Sequence, residues 1–535
     1  MSDHTVVVVG SGFAGVGLAI RLRAAGYTST DDLLVLERAD DLGGTWRDNH
    51  YPGAACDVPS HLYSYSFAPN PDWTRSFSPS GEIWDYLRGC ADRYGVTPHV
   101  RVGCELLEAA WDEQAQRWRL QTSQGELTAR VLVPAVGALS EPSIPPLPGL
   151  ERFTGTVFHS AAWRHDHDLA GRRVAVVGTG ASAIQFVPEI APRTASLHVF
   201  QRTPPWVIPR RDRAISALER GLFRRVPAAQ RLARTAIYLL RESTVPGFTG
   251  RRALMRPVER IARAHLRRQV PDPALRARLR PEYALGCKRL LLSNDWYPTL
   301  MRPDVEVVSS GVREVRPHSV VAADGTEREV DTIVFGTGFH VTDMPIGARV
   351  RGRDGLLLDD VWQGSPEAYL GSTVAGFPNM FMLIGPNTGL GHSSMILMIE
   401  AQVAYVEDAL RRMDADGLAT VDVRPEVQAS YNAALQQAMQ PTVWLQGGCA
   451  SWYLDASGRN TTIWPGSTWR FAGRTRRFDL ASYCATRTAA RPVPGPGVPA
   501  VHGPAEAGHD GESRHDPRPH AEGAQTVVVP EEFPA

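Results

Sequence analysis

The chain predicts an α/β protein made of two Rossmann-like dinucleotide-binding domains with a helical insertion. Three observations carry this. A strand, a glycine-rich turn and a helix open the chain between Val6 and Ala25, and the same succession returns between Arg173 and Ile190. Between Arg210 and Arg280 the composition changes to arginine, alanine and leucine at helical spacing.

In the first unit, Val6 to Gly10 reads as a parallel strand buried on both faces, because four successive valines leave no polar face for water. Ala14 to Ala25 has helical spacing, and Leu33 to Glu37 supplies the next strand. Gly10, Gly12 and Gly15 form G-x-G-x-x-G between strand and helix. Gly10 permits the tight turn, Gly12 lets the backbone approach a pyrophosphate, and Gly15 allows the helix to pack closely. Phe13 and Ala14 belong to the same helix start, which favours negative charge. Glu37 can accept hydrogen bonds from ribose hydroxyls and repels a 2′-phosphate, which suits FAD or NAD. Arg38, Gly44, Thr45, Trp46 and Tyr51 follow and are assigned to this site.

The second unit reads as strand at Arg173 to Gly178, helix at Ala181 to Ile190 and strand at Leu197 to Gln201. Gly178, Gly180 and Ala183 repeat the turn, with Ala181 and Ser182 inside it, and the closing strand runs into Arg202 and Thr203 where the first unit had Glu37. A guanidinium there pairs with a 2′-phosphate through parallel hydrogen bonds, so this site is expected to take NADPH. An NADPH site beside a site for a ribose diol requires a hydride acceptor, and FAD supplies one. Strand-like runs return at Val305 to Val308, Thr332 to Phe335 and Met380 to Ile384. After the last come Gly385 to Gly389, including Asn387, and a helix expected near His392 whose N-terminus would favour negative charge on a reduced flavin.

These landmarks divide the 535 residues into 1–150 (FAD domain, first part), 151–340 (NADPH domain, with the insertion at about 210–280), 341–486 (FAD domain, second part) and 487–535. The last is rich in Pro, Gly, Ala and His and is expected to be a disordered tail. The insertion holds nineteen arginines against five acids; its basic face could touch a membrane, but a solvated arginine-rich surface is the simpler expectation.

Bulk properties narrow the function. The 57 basic residues cancel 57 acidic ones, which gives no case for a nucleic-acid partner. No apolar run approaches the roughly 20 residues of a membrane-spanning helix. The start of the chain lacks the pattern of a signal peptide, so a cytoplasmic protein is expected. Six scattered cysteines, Cys56, Cys90, Cys104, Cys287, Cys449 and Cys484, show no metal or dithiol spacing and read as buried thiols, without the redox pair that disulfide reductases of similar layout need. No metal site is expected.

Between the two glycine motifs, Phe153, Gly155, His159 and Trp163 spell F-x-G-x-x-x-H-x-x-x-W. This order of motifs resembles the type I Baeyer-Villiger monooxygenases, a family of class B flavoprotein monooxygenases, over about the first 480 residues. Arg164 departs from the family pattern, which continues with Pro or Asp. The resemblance implies an FAD- and NADPH-dependent enzyme that uses O2 to convert a ketone to an ester or lactone through a flavin peroxide. It also implies roles for particular residues. Tyr51 to Asp57 resembles the family segment whose aspartate lies beside the flavin, and Gly286 to Leu290 the segment carrying the active-site arginine. By that carry-over Arg289 is the catalytic cation, Asp57 its orienting partner and Lys288 a second ligand of the 2′-phosphate. His159 takes a structural role near the domain linker, and Trp452, in Ser451-Trp452-Tyr453, is either a cofactor contact from a loop or a core aromatic. An N- or S-oxygenating flavin monooxygenase, or an NADPH-binding flavoprotein without oxygenase activity, are the alternatives; an arginine beside the flavin favours ketones.

Overall fold

Two sheets organise residues 2–487, which the computed structural model describes. The tail expected at 487–535 lies outside the described residues from residue 488 onward; Arg487 itself ends a strand, Tyr483–Arg487, paired with Leu418–Val423.

The first sheet has seven strands. In chain order they are β1 (Ser2–Val9), β2 (Leu33–Leu36), β3 (Val100–Arg101), β4 (Leu106–Asp112), β5 (Arg117–Thr122), β6 (Gly125–Pro134) and an edge strand, Val350–Arg351, that joins β4 from far along the chain. β1 runs parallel to both β2 and β6, with Val6 opposite Leu33 and Val131. Alternation along a strand divides the four valines between two cores. Val6 and Val8 face the core shared with helix α1 (Phe13–Ala24), whereas Val7 and Val9 face one containing Trp111 and Trp118. A short helix, α2 (Thr45–Asp48), and a longer one, α3 (Ser80–Arg93), follow.

The second sheet is wholly parallel, in the order Val305–Val308, β9 (Ser196–Phe200), β8 (Arg173–Val177), Thr332–Phe335, β7 (Thr156–His159). Val174 and Val176 point to the core that includes α4 (Ala183–Ile190), and Ala175 and Val177 to the opposite one. Both strand–turn–helix units form where the sequence places them, with ends shifted by one or two residues except that β1 begins four residues earlier, at Ser2.

The insertion is helical: α5 (Ala217–Arg225), α6 (Pro227–Glu242), α7 (Val245–Phe248), α8 (Arg256–Gln269) and α9 (Pro273–Arg278). Its starts are marked in the sequence. The Ser216 hydroxyl accepts the Glu219 amide at 3.2 Å, the Asp272 carboxylate accepts the Ala274 amide at 2.9 Å, and Pro227 and Pro273 occupy first-turn positions that need no amide. One face of α6 grips the first half of the chain: a guanidinium nitrogen of Arg234 donates to the carbonyls of His61 and Ser64 at 2.9 Å each.

Two expectations need correction. Met380 to Ile384 is not a regular strand; it meets β6 by a single bridge at Leu132, with further bonds from Phe381 to Leu132 (3.0 Å) and from Leu383 to Pro134 (2.9 Å), because Ile384 and Asn387 adopt left-handed conformations that turn the chain away. The helix beyond it starts at Met395, three residues later than His392, capped by Ser394. The six cysteines are not all buried thiols. Cys56, Cys90 and Cys104 are, but Cys484 is exposed and Cys287 forms a disulfide with Cys449 across 162 residues. Packing of the segment after the insertion against the C-terminal half joins two thiols that no local spacing connects.

Candidate active site

Where β1 turns into α1 the backbone forms one wall of a cleft. Gly10 has φ +105°, and a Cβ there would lie 2.7 Å from the carbonyl oxygen of Ala135, so the turn admits only glycine. A Cβ at Gly15 would lie 1.9 Å from the Gly10 oxygen, which is why α1 can lie so close to the strand. Gly12 caps α1 without any side-chain bond to its free amides, and Gly44 approaches it so closely that a Cβ on Gly44 would sit 3.1 Å from the Gly12 Cα. Phe13 and Ala14 complete this wall, an opening lined by unclaimed amides that suits an anion.

Glu37 stands at the end of β2, buried. It accepts the Ser11 hydroxyl at 2.6 Å, the amides of Ser11 (3.1 Å) and Ala39 (3.0 Å), and pairs with Arg47 at 3.0 Å. Burial alone would raise its pKa, but the Ser11 hydroxyl, the Ala39 amide, the Arg47 charge and the Ser11 amide together hold it below the usual carboxylate value. The carboxylate is therefore charged and fixed in the cleft. Arg38, bonded to Glu141, lines the same region with Thr45 and Trp46, whose indole donates to the Tyr63 hydroxyl at 3.1 Å.

The cleft continues past Arg289 and Trp452 to Gly385, Thr388 and Ile463. Along this far wall the buried hydroxyls of Thr461 and Thr462 have no hydrogen-bond partner. Each such group costs about 1–3 kcal/mol if it stays unpaired, so this wall calls for a polar ligand. Free helix amides and an ordered acid at one end and unpaired hydroxyls at the other fit an extended flavin dinucleotide. Asn387 does not line the cleft; it is buried and its amide donates to the carbonyls of Asn460 (2.9 Å) and Ile463 (3.1 Å), bracing the wall. Trp452 is 43% exposed on the loop and is not a core aromatic.

The second nucleotide turn has the same construction. Gly178 has φ +112°, and a Cβ would lie 2.4 Å from the Gly336 oxygen. Gly180 and Ala181 are exposed, Ser182 begins α4 without a side-chain cap, and Ala183 is buried beneath. Arg202 and Thr203 follow β9. Lys288 is close enough that, after burial, the Arg202 charge is the next cause lowering its pKa. Among the described residues neither cation has a carboxylate partner.

Asp57 and Arg289 come together from positions 232 residues apart. Nε and a terminal nitrogen of Arg289 donate to the two Asp57 oxygens, each at 2.6 Å. This fork-on-carboxylate geometry fixes the guanidinium plane. The Asp57 charge raises the arginine's pKa against the effect of burial; conversely burial would raise that of Asp57, but Arg289, by charge and hydrogen bond, and Arg241 of α6, by charge, bring it below the usual value. Both groups therefore keep their charge at any working pH.

Tyr51 sits between the two units: its hydroxyl donates to Gln185 at 3.0 Å, and its ring contacts Trp163 and Phe186. Trp163 is buried there, and His159 is buried with Nδ1 accepting the Ala161 amide at 3.1 Å. Both motif residues hold structure and neither lines the cleft. Sequence reasoning missed Ser11, Arg47, Tyr63 and the Thr461–Thr462 hydroxyls. Ser11 had a signal, since the residue after the first motif glycine faces the acid of the next strand; the others had none.

Comparison with known proteins agrees with this geometry. The family described as pyridine nucleotide-disulphide oxidoreductase matches residues 7–226. A protein of Streptomyces coelicolor described as a Baeyer-Villiger monooxygenase is 54% identical over 95% of this chain and 97% of its own. Among solved structures, a closed form of cyclohexanone monooxygenase superposes with a TM-score of 0.80 at 28% identity, and an oxidized steroid monooxygenase bound to NADP with 0.79 at 30% identity, each covering 91% of this chain and 100% of the other. With two nucleotide turns, a fixed guanidinium between them and relatedness along nearly its whole length, the chain belongs to the Baeyer-Villiger monooxygenase family.

Proposed function

We propose that the two nucleotide sites and the Arg289–Asp57 pair divide the work of oxidising a ketone to an ester or lactone. Ketone, O2, NADPH and a proton go to ester or lactone, water and NADP+. FAD, held in the first cleft, would supply the redox chemistry that links NADPH to O2. Gly10, Gly12 and Gly15 would admit its pyrophosphate, Glu37 would hold a ribose, and the unpaired hydroxyls of Thr461 and Thr462 would offer it hydrogen bonds. At the second turn Arg202 and Lys288 hold the 2′-phosphate, and Trp452 contacts the nicotinamide portion from its loop.

The observation that carries this reading is the bidentate Arg289–Asp57 contact at the edge of the flavin cleft. Arginine stays charged throughout, whereas lysine could deliver a proton and neutralise the oxygen nucleophile. Held in one plane by Asp57, Arg289 keeps that oxygen anionic and stabilises the charge that develops on the ketone oxygen. An N- or S-oxygenation needs no such cation. The boundaries at residues 150, 340 and 486 mark where the chain leaves and re-enters the FAD domain, and reliance on NADPH suits a cytoplasmic location.

The test is NADPH-linked oxygen uptake across a panel of ring, aryl and linear ketones, with products analysed by mass spectrometry. The expected result is a product carrying one added oxygen. NADPH oxidation that yields only hydrogen peroxide with every ketone, while amines or sulfides are oxygenated, would favour the N- or S-oxygenating alternative.

A further inference from the structure

Large apolar side chains stand in solvent chiefly on the helical insertion. Of sixteen strongly exposed ones among the described residues, eight lie between Leu218 and Ile261. On α6, Leu232 (72% exposed), Leu239 (60%) and Leu240 (71%) recur with the helical repeat and share a stripe with the exposed Ala228, Thr235 and Ala236. α5, which packs against α6, adds Leu218 at 87% and Leu222 at 49%. Further on, Leu254 (55%) is exposed among Arg251, Arg252 and Arg256. The inner face of α6 is already occupied: Arg234 binds carbonyls of the first half of the chain, and Glu242 accepts the Thr468 hydroxyl at 2.8 Å. The outer face has no such partner among the described residues.

Charge says what could cover it. Residues 210–280 hold nineteen arginines, no lysine and five acids in a chain whose net charge is zero, so the insertion is a strongly positive pole. We propose that α5, α6 and the turn at Arg251–Arg256 dock on the surface of an anionic lipid bilayer, with the leucines entering the acyl boundary and the arginines meeting the headgroups. Exposed leucines along a helix with arginines beside them are the arrangement of an interfacial helix, and neither α6 nor any other described helix is long and apolar enough to span a membrane. A second copy of the chain is the poorer partner, since a symmetric contact sets one arginine-rich face against another. Docking would place a helix whose inner face adjoins the Asp57–Arg289 pair, through Arg241, against the phase in which an apolar ketone dissolves.

Co-sedimentation of the full-length holoenzyme with vesicles tests this. Phosphatidylcholine vesicles should leave it in the supernatant, and vesicles of phosphatidylcholine mixed with phosphatidylglycerol should pellet it, less so at raised salt. Leu239→Asp with Leu240→Asp should weaken that binding by at least about tenfold, and Arg251→Gln with Arg252→Gln should weaken it while leaving the leucines in place. Leu107→Asp, at a residue 50% exposed on β4, should have no effect. Flavin content and turnover of a water-soluble ketone should match the parent in every variant. The proposal is overturned if the parent ignores anionic vesicles, or if the leucine variants bind them as well as the parent. It is equally overturned if light scattering of vesicle-free protein finds a dimer that the leucine substitutions dissociate, which would assign the face to a second copy.

Discussion

Arg289 and Asp57 show how much chemistry depends on a few ångströms. Arg289→Ala should lower ester or lactone formation on the order of a hundredfold to a thousandfold, the usual cost of losing one preorganised charge, with FAD still bound because the Gly10–Gly15 turn and Glu37 do not depend on it. Arg289→Lys should not restore the rate, since the planar fork that meets both Asp57 oxygens is lost. Product formation near the parent rate in either variant would remove the residue from catalysis. Arg202→Ala should raise the KM for NADPH far more than that for NADH, each charge-assisted phosphate contact contributing about 1.5–3 kcal/mol; equal effects on the two coenzymes would contradict the assignment. His159 makes a different kind of prediction. Burial lowers its pKa from the ordinary 6.5 to about 4, so between these values the unfolded chain takes up a proton that the folded chain refuses. Stability should therefore fall as pH drops from 6.5 toward 4, by about 1.4 kcal/mol per pH unit, and level off below. Urea unfolding of parent and His159→Gln across this window checks it; an unchanged slope in the variant would show that the pH dependence has another source.

At the scale of elements, the two strand–turn–helix units were legible because everything they need is contiguous. A run of apolar residues, a glycine that tolerates positive φ and a helix start within five residues define the turn. Gly15→Ala tests how tightly that unit is built. Its Cβ would overlap the Gly10 carbonyl oxygen at 1.9 Å, so α1 must shift from β1; overpacking of this kind costs about 1–3 kcal/mol, and the purified variant should carry less FAD than the parent. Full flavin occupancy with an unchanged melting temperature would mean that the helix moves without penalty. The insertion was equally legible as helix, but its outer face was not. Period and composition show a basic amphipathic segment, whereas which stripe turns inward depends on what Arg234 and Glu242 reach across space.

Across the whole molecule, the segment after the insertion and the loop carrying Trp452 are tied together by the Cys287–Cys449 bridge, two residues from Arg289 and three from Trp452. Closing a loop of 162 residues in the unfolded chain is expected to contribute up to about 5 kcal/mol. Cys449→Ser, or a reductant added to the parent, should therefore lower the melting temperature, and the reductant should have no further effect on the variant. Identical melting curves for reduced and unreduced parent would show that the bridge contributes nothing.

The sequence by itself determined the fold class, the two nucleotide turns, the exchange of Glu37 for Arg202 between them, and the family, since each rests on neighbouring residues whose local backbone geometry does not depend on distant packing. Tertiary structure alone decided the rest. It set Arg289 against Asp57 across 232 residues, joined Cys287 to Cys449 across 162, gave Glu37 its partner Arg47, and left the leucines of α6 in solvent. Side chains so far apart in the chain meet only where the packing of whole sheets and helices brings their backbones together, and no periodicity or spacing along the sequence records that distance.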